Sequence, residues 1–311
     1  MNTLIQEHAI YSRYFAPRGK ERLLFLGEQI SHRHLRYGDR LIGVIGDAGS
    51  GKSSLIQGMF PGLELTNNDD VMNPAKIMQV RDIGIGCSQA TTFHIDMRFQ
   101  MAFTQTYEIV DFITAALDRN RRVVVEHFNL LYPALQVNAD IIVGIGEEIL
   151  VVHPTIFGPH PDNIYGIMHT SLKYRKMAHT VEDIAIHLLE GEFGIEHKHF
   201  FSSDVRNGFI LRFTEEMPLD FERLARRIQE RLAENLPVRY SDETHIMIGD
   251  DLVYCTGPRL HLGNTAEVEN FRLVPRFIPD SKTQTYCLVG LLRGSAEDVC
   301  CLNNFVAESF F

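Results

Sequence analysis

The chain has 311 residues, 45% hydrophobic and 23% charged, with 30 Lys and Arg against 40 Asp and Glu for a formal charge of -10. At about 100–200 residues per domain the length suggests two domains, and the composition excludes a disordered chain, a collagen and a coiled-coil rod. Net acidity makes the chain a poor general binder of nucleic acid, because neutralising phosphates needs cations, and no apolar run approaches the roughly 18 residues that span a bilayer.

Residues 1–14 are mixed polar and carry no signal-peptide pattern. Five cysteines, with no C-x-x-C pair, fit a reducing, cytoplasmic setting. The spacing predicts a helix over residues 20–34 and a buried strand, Leu41-Ile42-Gly43-Val44-Ile45. A glycine-rich stretch and a helix ended by Pro61-Gly62 come next. Leu63-Glu64-Leu65 reads as a second strand, followed by Asp69 and Asp70. A helix is expected over 101–117, then strands at 123–125, ending in Glu126-His127, at 140–144 and at 149–152. Strands alternating with helices imply parallel pairing in an α/β sheet.

The texture changes over 154–174, a turn-rich stretch with His153-Pro154, Gly158-Pro159 and His160-Pro161. Beyond it a helix is expected at 181–189, a strand at 207–213 and an amphipathic helix at 218–235. Short strands are expected at 245–248 and 252–254, and His197 and His199 alternate as on an exposed strand face. The second half therefore reads as α+β with an antiparallel sheet, and the domains as 1–170 and 171–311.

Gly46-x-x-x-x-Gly51-Lys52-Ser53 is a full P-loop (Walker A) pattern. Glycines let the loop turn sharply so that backbone N–H groups converge on phosphate oxygens. The following helix points its positive end at the same anion. Gly46, Asp47, Ala48, Gly49, Ser50, Gly51, Lys52, Ser53 and Ser54 are thus the expected cradle for ATP. Lys52 would reach the β and γ phosphates, and the Ser53 hydroxyl would hold Mg2+. Carboxylates at strand ends, Asp69, Asp70 and Glu126, could orient the metal or accept a proton.

On these residues the first half, about 41–145, resembles the uridine-kinase-like branch of the P-loop kinases. Asn68-Asp69-Asp70-Val71 is similar to that branch's acidic pair facing the acceptor nucleoside. Val124-Val125-Glu126-His127 is similar to its Val-Glu-Gly strand end, with His for Gly. The resemblance implies arginines that clamp the transferring phosphate, yet none occurs between 123 and 174. Arg175, Arg121 and Arg122 are the alternatives.

Asp183-Ile184-Ala185-Ile186-His187-Leu188-Leu189 resembles the His-x-x-x-His-Leu-Leu helix of the second additional domain of threonyl- and alanyl-tRNA synthetases. Residues 207–238, through Asn235-Leu236-Pro237, and Cys255-Thr256-Gly257-Pro258 with His261 and Asn264-Thr265 also resemble that editing domain. The resemblance implies a Zn2+ site. Residues four apart on a helix share a face, which makes Asp183 and His187 a possible pair. Cys255 matches the family's Cys. Counting from Cys255 puts Arg259 at the last position, and counting back from Asn264-Thr265 puts His261 there. The candidate set is Asp183, His187, Cys255 and His261, with His179 set aside as too far along the helix from His187.

Three functions are open at this point: a nucleoside-kinase-type phosphotransferase with an appended editing-like domain, a metal-dependent deacylase of aminoacyl-tRNA or aminoacyl esters regulated by an ATPase domain, and a nucleotide-switched binding module. The partners implied are a nucleoside triphosphate and a nucleoside-like acceptor. A tRNA partner follows from resemblance alone and is opposed by the net charge.

Overall fold

The computed structural model describes residues 11–65, 92–255, 260–293, 299–300 and 302–303. The chain divides into two compact units, Met1–Tyr14 with Leu23–Thr170, and Phe15–Arg22 with Ser171–Phe311. No helix among the described residues is long and apolar enough to cross a membrane.

The first unit is built on a six-stranded mixed sheet. Its elements are β1 (Tyr11–Phe15), α1 (Lys20–His34), β2 (Leu41–Ile45), α2 (Lys52–Met59), β3 (Thr92–Asp96), α3 (Met97–Gln100), α4 (Thr106–Asp118), β4 (Arg122–Glu126), α5 (Phe128–Leu135), β5 (Ile141–Ile145) and β6 (Glu148–Val152). The long helix α6 (Pro161–Gly191) starts in this unit. The strand order is β1-β6-β5-β2-β4-β3. β3, β4, β2 and β5 run parallel, and β6 returns antiparallel to β5. β2, β5 and β6 are buried along their whole length, which explains the apolar runs 41–45, 141–145 and 149–152. The core joins Ile45, Val123, Val125 and Ile142 of the sheet to Ile109, Phe112, Phe128, Ile164 and Met168 of the helices.

Several expectations are corrected here. Leu63–Leu65 is not a strand; the strand beside β4 is β3, about 30 residues later in the chain. The helix expected at 101–117 starts at Thr106, where Gln105 and Glu108 form a reciprocal capping box. The stretch 154–174 is helical from Pro161 onward. Proline suits the first turn of a helix, where its missing N–H has no intrahelical partner to lose.

α1 and α2 meet through glycines. A Cβ on Gly27 would lie 2.3 Å from the Leu55 carbonyl oxygen, and one on Gly58 2.1 Å from that of Leu24. This close backbone approach holds the helix that follows the glycine-rich loop.

In the second unit the C-terminal part of α6 packs with α7 (Phe221–Ala233). Two antiparallel sheets accompany them. One has the order β11-β10-β9 and the other β12-β14-β8-β7, with β13 also paired to β14. The strands are β7 (Phe200–Val205), β8 (Gly208–Phe213), β9 (Val238–Tyr240), β10 (His245–Ile248), β11 (Asp251–Tyr254), β12 (Arg272–Leu273), β13 (Ile278–Asp280) and β14 (Thr285–Leu291). Leu224, Ile228 and Leu232 form the buried stripe of α7, at the spacing of one helix face. His197 and His199 lie in a short 3-10 helix rather than a strand. The segment Phe15–Arg22 belongs to this unit: Arg18 is buried against Glu182 at 2.7 Å and Asp204 at 3.0 Å. Arg175, fully buried, donates to the Pro17 carbonyl at 2.7 Å.

Candidate functional site

The first site sits at the carboxyl ends of β2, β3 and β4. β2 lies between β4, reached after β3, and β5 on the other side. Open parallel sheets bind ligands in the crevice at such a reversal of strand order. The loop Gly46–Gly51 leaves β2 there and enters α2. Gly49 and Gly51 have φ of 76° and 97°, conformations that favour glycine. Gly46 is tightly boxed, since a Cβ would lie 2.6 Å from the Ile145 carbonyl. Ser50 and Lys52 are buried, Ala48 is exposed, and Ser53 and Ser54 are half-buried at the start of α2.

Lys52 Nζ donates to the Asp47 carbonyl at 2.9 Å and lies 3.7 Å from Glu126 Oε2. Ser53 Oγ donates to Glu126 Oε1 at 3.1 Å, and His94 Nε2 lies 3.2 Å from the same oxygen. The Asp47 carboxylate is held by Tyr165 Oη at 3.1 Å and His169 Nδ1 at 2.7 Å, both on α6. Burial pushes the Lys52 ammonium down from its ordinary pKa, while Glu126 and Asp96 oppose that. Burial would raise Glu126, but His94, Lys52 and Ser53 together hold it below the usual carboxylate value. Burial, with the charges of Lys52 and Arg98, lowers His127 to about 4.

Of the expected residues, Lys52, Ser53 and Glu126 converge. Asp69 and Asp70 lie outside the described residues. The acid that the fold does bring in is Asp96, the register partner of Glu126 at the end of β3, whose carboxylate also accepts from Phe99 N at 3.2 Å. With Glu126 and His127 it forms a group of possible metal donors, all within 4.8 Å of one another. The sequence signal for Asp96 was a β-branched and aromatic run, Thr91-Thr92-Phe93-His94-Ile95, ending in an acid. The arginine alternatives are also corrected. Arg122 opens β4 at the end opposite Glu126 and binds the Asp39 carbonyl, Arg121 precedes it, and Arg175 is buried on Pro17. Arg98, on α3, is the described arginine whose charge reaches Lys52, His127 and Tyr165.

The second site lies within the second unit, on α6. His179, Asp183, Cys255 and His261 offer donor atoms that all lie within 4.8 Å of one another. His261 Nε2 lies 2.8 Å from Asp183 Oδ2, and Cys255 Sγ lies 3.3 Å from His179 Nε2 and 3.6 Å from His261 Nε2. His179 Nε2 is 3.6 Å from Asp183 Oδ2. Donors 2.0–2.3 Å from a tetrahedral ion stand roughly 3.3–3.7 Å apart; the two Cys255 separations and the His179–Asp183 separation match that, the 2.8 Å His261–Asp183 contact is a hydrogen-bond distance, and the mixed N, O and S set suits Zn2+. Burial, then His261 and the nearby Arg18, Arg175 and Arg22, push His179 well below its ordinary pKa, which favours the neutral, ligating imidazole.

His187 is not in this group. It lines a separate small cavity of about 190 Å³ with Arg227, Arg231, Glu192 and Asp251. Asp183 stands four residues from His179 and four from His187, and the fold selects the former. The neighbouring loop shows how. Leu236 N donates to Thr265 Oγ1 at 2.9 Å, Thr265 N donates to the Leu236 carbonyl at 2.9 Å, and Asn264 Nδ2 donates to the Asn235 carbonyl at 3.1 Å. Leu262 N donates to Thr180 Oγ1 at 3.2 Å. These bonds seat His261 beside the turn of α6 that carries His179.

No protein-family model matches the chain, and no curated protein is significantly similar to it.

Proposed function

We propose that the first unit binds a nucleoside triphosphate by its phosphates and transfers the terminal phosphoryl group to a small nucleoside-like acceptor. The observation that carries this reading is the convergence of Lys52 Nζ and Ser53 Oγ on Glu126 at the mouth of a glycine-rich loop. The reading takes further support from the central position of β2 and from the P-loop pattern. The loop's backbone N–H groups and the start of α2 would hold the phosphate oxygens, and Lys52 would bind the β and γ phosphates. The Ser53 hydroxyl would hold a divalent cation, which would supply positive charge to offset that of the phosphates. The acceptor oxygen bonds to the γ-phosphorus as the bond to the bridging oxygen breaks. The acceptor's proton passes to a carboxylate, a role that the kinase resemblance gives to Asp69 or Asp70. Catalysis of this kind is mostly positioning and charge stabilisation. The test is a screen of nucleosides for acceptor-stimulated ADP release. Release that rises with one nucleoside class supports the transferase, and a flat screen with steady hydrolysis leaves an NTPase or a nucleotide-switched binding module.

A second reading is favoured by the four converging donors of the second unit. We propose that His179, Asp183, Cys255 and His261 hold Zn2+. A metal so held would activate water for attack on an ester, as the editing-domain resemblance suggests for aminoacyl esters. Four protein ligands leave no open position. A closed set of four protein donors is the arrangement of a structural ion, and a hydrolytic one would need an open position. Hydrolysis of aminoacyl-tRNA by the zinc-loaded chain, compared with its zinc-stripped form, separates the two.

A further inference from the structure

We propose that Asp96, Glu126 and His127 form a two-carboxylate, one-imidazole cation site that selects a transition-metal dication over Mg2+ at the phosphate loop. The inference deepens the nucleotide reading and rests on it for the ligand served, while the donor set can be tested without nucleotide.

Three observations meet here. Asp96 and Glu126 are register partners at the ends of adjacent parallel strands, so the sheet itself sets their carboxylates side by side. His127 follows directly and turns the chain with φ 56° and ψ 42° into α5. One donor atom from each of the three lies within 4.8 Å of the others, with the residues only 8, 1 and 3% exposed. A ring nitrogen of His127 is thus within reach of both carboxylates, which adds an imidazole to the two oxygen donors.

The donor chemistry decides the ion. Mg2+ is a hard cation that takes oxygen ligands and keeps its waters. Imidazole suits first-row transition metals, and mixed carboxylate and imidazole sets are common to them. Lys52, 3.7 Å from Glu126 Oε2, is the competing cation. Its Nζ also has the Asp47 carbonyl at 2.9 Å, a partner it keeps when a metal takes the Glu126 oxygen.

Mn2+ is the demanding probe, since it binds most weakly of the series. The experiment titrates Mn2+ into the full chain without nucleotide, read by electron paramagnetic resonance, with Mg2+ as competitor. Spin-echo modulation reports any coordinated nitrogen. The wild-type chain should bind Mn2+ at least tenfold more tightly than Mg2+ and show nitrogen modulation. His127→Gly, suited to the left-handed backbone, should weaken Mn2+ about tenfold, leave Mg2+ unchanged and lose the modulation. His127→Asn, which also tolerates that backbone, is the second variant should the first not fold. Equal affinities for Mn2+ and Mg2+, or modulation that survives both substitutions, would overturn the proposal. Surviving modulation would place the ion on other histidines, such as His179 and His261. ATP binding is measured separately: its absence with the Mn2+ site intact sinks the nucleotide reading and spares this one.

Discussion

Asp183 Oδ2 lies 2.8 Å from Nε2 of His261, a residue 78 positions later in the chain. That contact joins α6 to the segment that carries His261, and His179 rather than His187 stands beside it. Replacing His179 by Ala or Cys255 by Ser should abolish stoichiometric zinc, whereas His187→Ala should keep it. Elemental analysis of the purified chains decides this. Zinc retained without His179 but lost without His187 would contradict the proposed ligand set.

Lys52 follows the glycine-rich loop directly and is only 5% exposed. Lys52→Ala should weaken binding of a fluorescent ATP analogue by about 100-fold or more, the order expected when a charge-assisted contact worth roughly 3 kcal/mol is removed. The thermal melt should stay near that of wild type. Unchanged nucleotide affinity would remove the central support of the phosphotransferase reading.

Glu126 meets Ser53, His94 and Lys52 at once. Glu126→Gln keeps the shape and removes the charge. Nucleotide turnover should fall by about 100-fold, in line with loss of a positioned acid or base, while ATP affinity changes only a few-fold. Turnover equal to wild type would show that Glu126 is a bystander.

Gly58 has its Cα where α1 and α2 nearly touch, with an added Cβ 2.1 Å from the Leu24 carbonyl. Alanine gains about 1 kcal/mol of helix propensity over glycine. Overpacking of this kind costs about 1–3 kcal/mol or more, and here the obstacle is backbone. Gly58→Ala should therefore lower the melting temperature, and ATP affinity should fall with it as the loop's helix shifts. A melting temperature raised by the substitution would refute the close approach.

Asp280 accepts from Arg212 Nη1 at 2.8 Å and from Lys282 N at 3.0 Å. The Arg212 contact, then Thr283 and the Lys282 backbone, hold its carboxyl at about 2, against an ordinary 3.8. A depressed carboxyl stabilises the fold above its unfolded pKa and loses that contribution as pH falls through the folded value. The wild-type advantage over Asp280→Asn should thus be present above pH 3.8 and vanish on approach to pH 2. Melting curves across that range measure it, and a constant difference would rule out the linkage.

The strand, glycine-rich turn and helix at 41–59 were legible in the sequence because all three parts are local, where chirality and glycine freedom dictate the path. The buried runs at 41–45 and 149–152 were legible for the same local reason, as was the one expected at 140–144, which the fold shifts by one residue to 141–145, and the stripe of Leu224, Ile228 and Leu232. Asp96 was not, because its role depends on β3 pairing with β4, which a long intervening segment separates from β2. His179 was not, because helix periodicity is symmetric about Asp183: a ligand four residues earlier and one four residues later look alike. The position of His261, set by the bonds that Leu262 donates to Thr180, Asn264 donates to Asn235 and Thr265 exchanges with Leu236, breaks that symmetry. The sequence by itself determined the glycine-rich turn between β2 and α2 and the residue types available for chemistry, since both follow from short-range geometry. Only the tertiary structure decided which of those residues meet, because long-range pairing and packing are collective properties of the folded chain.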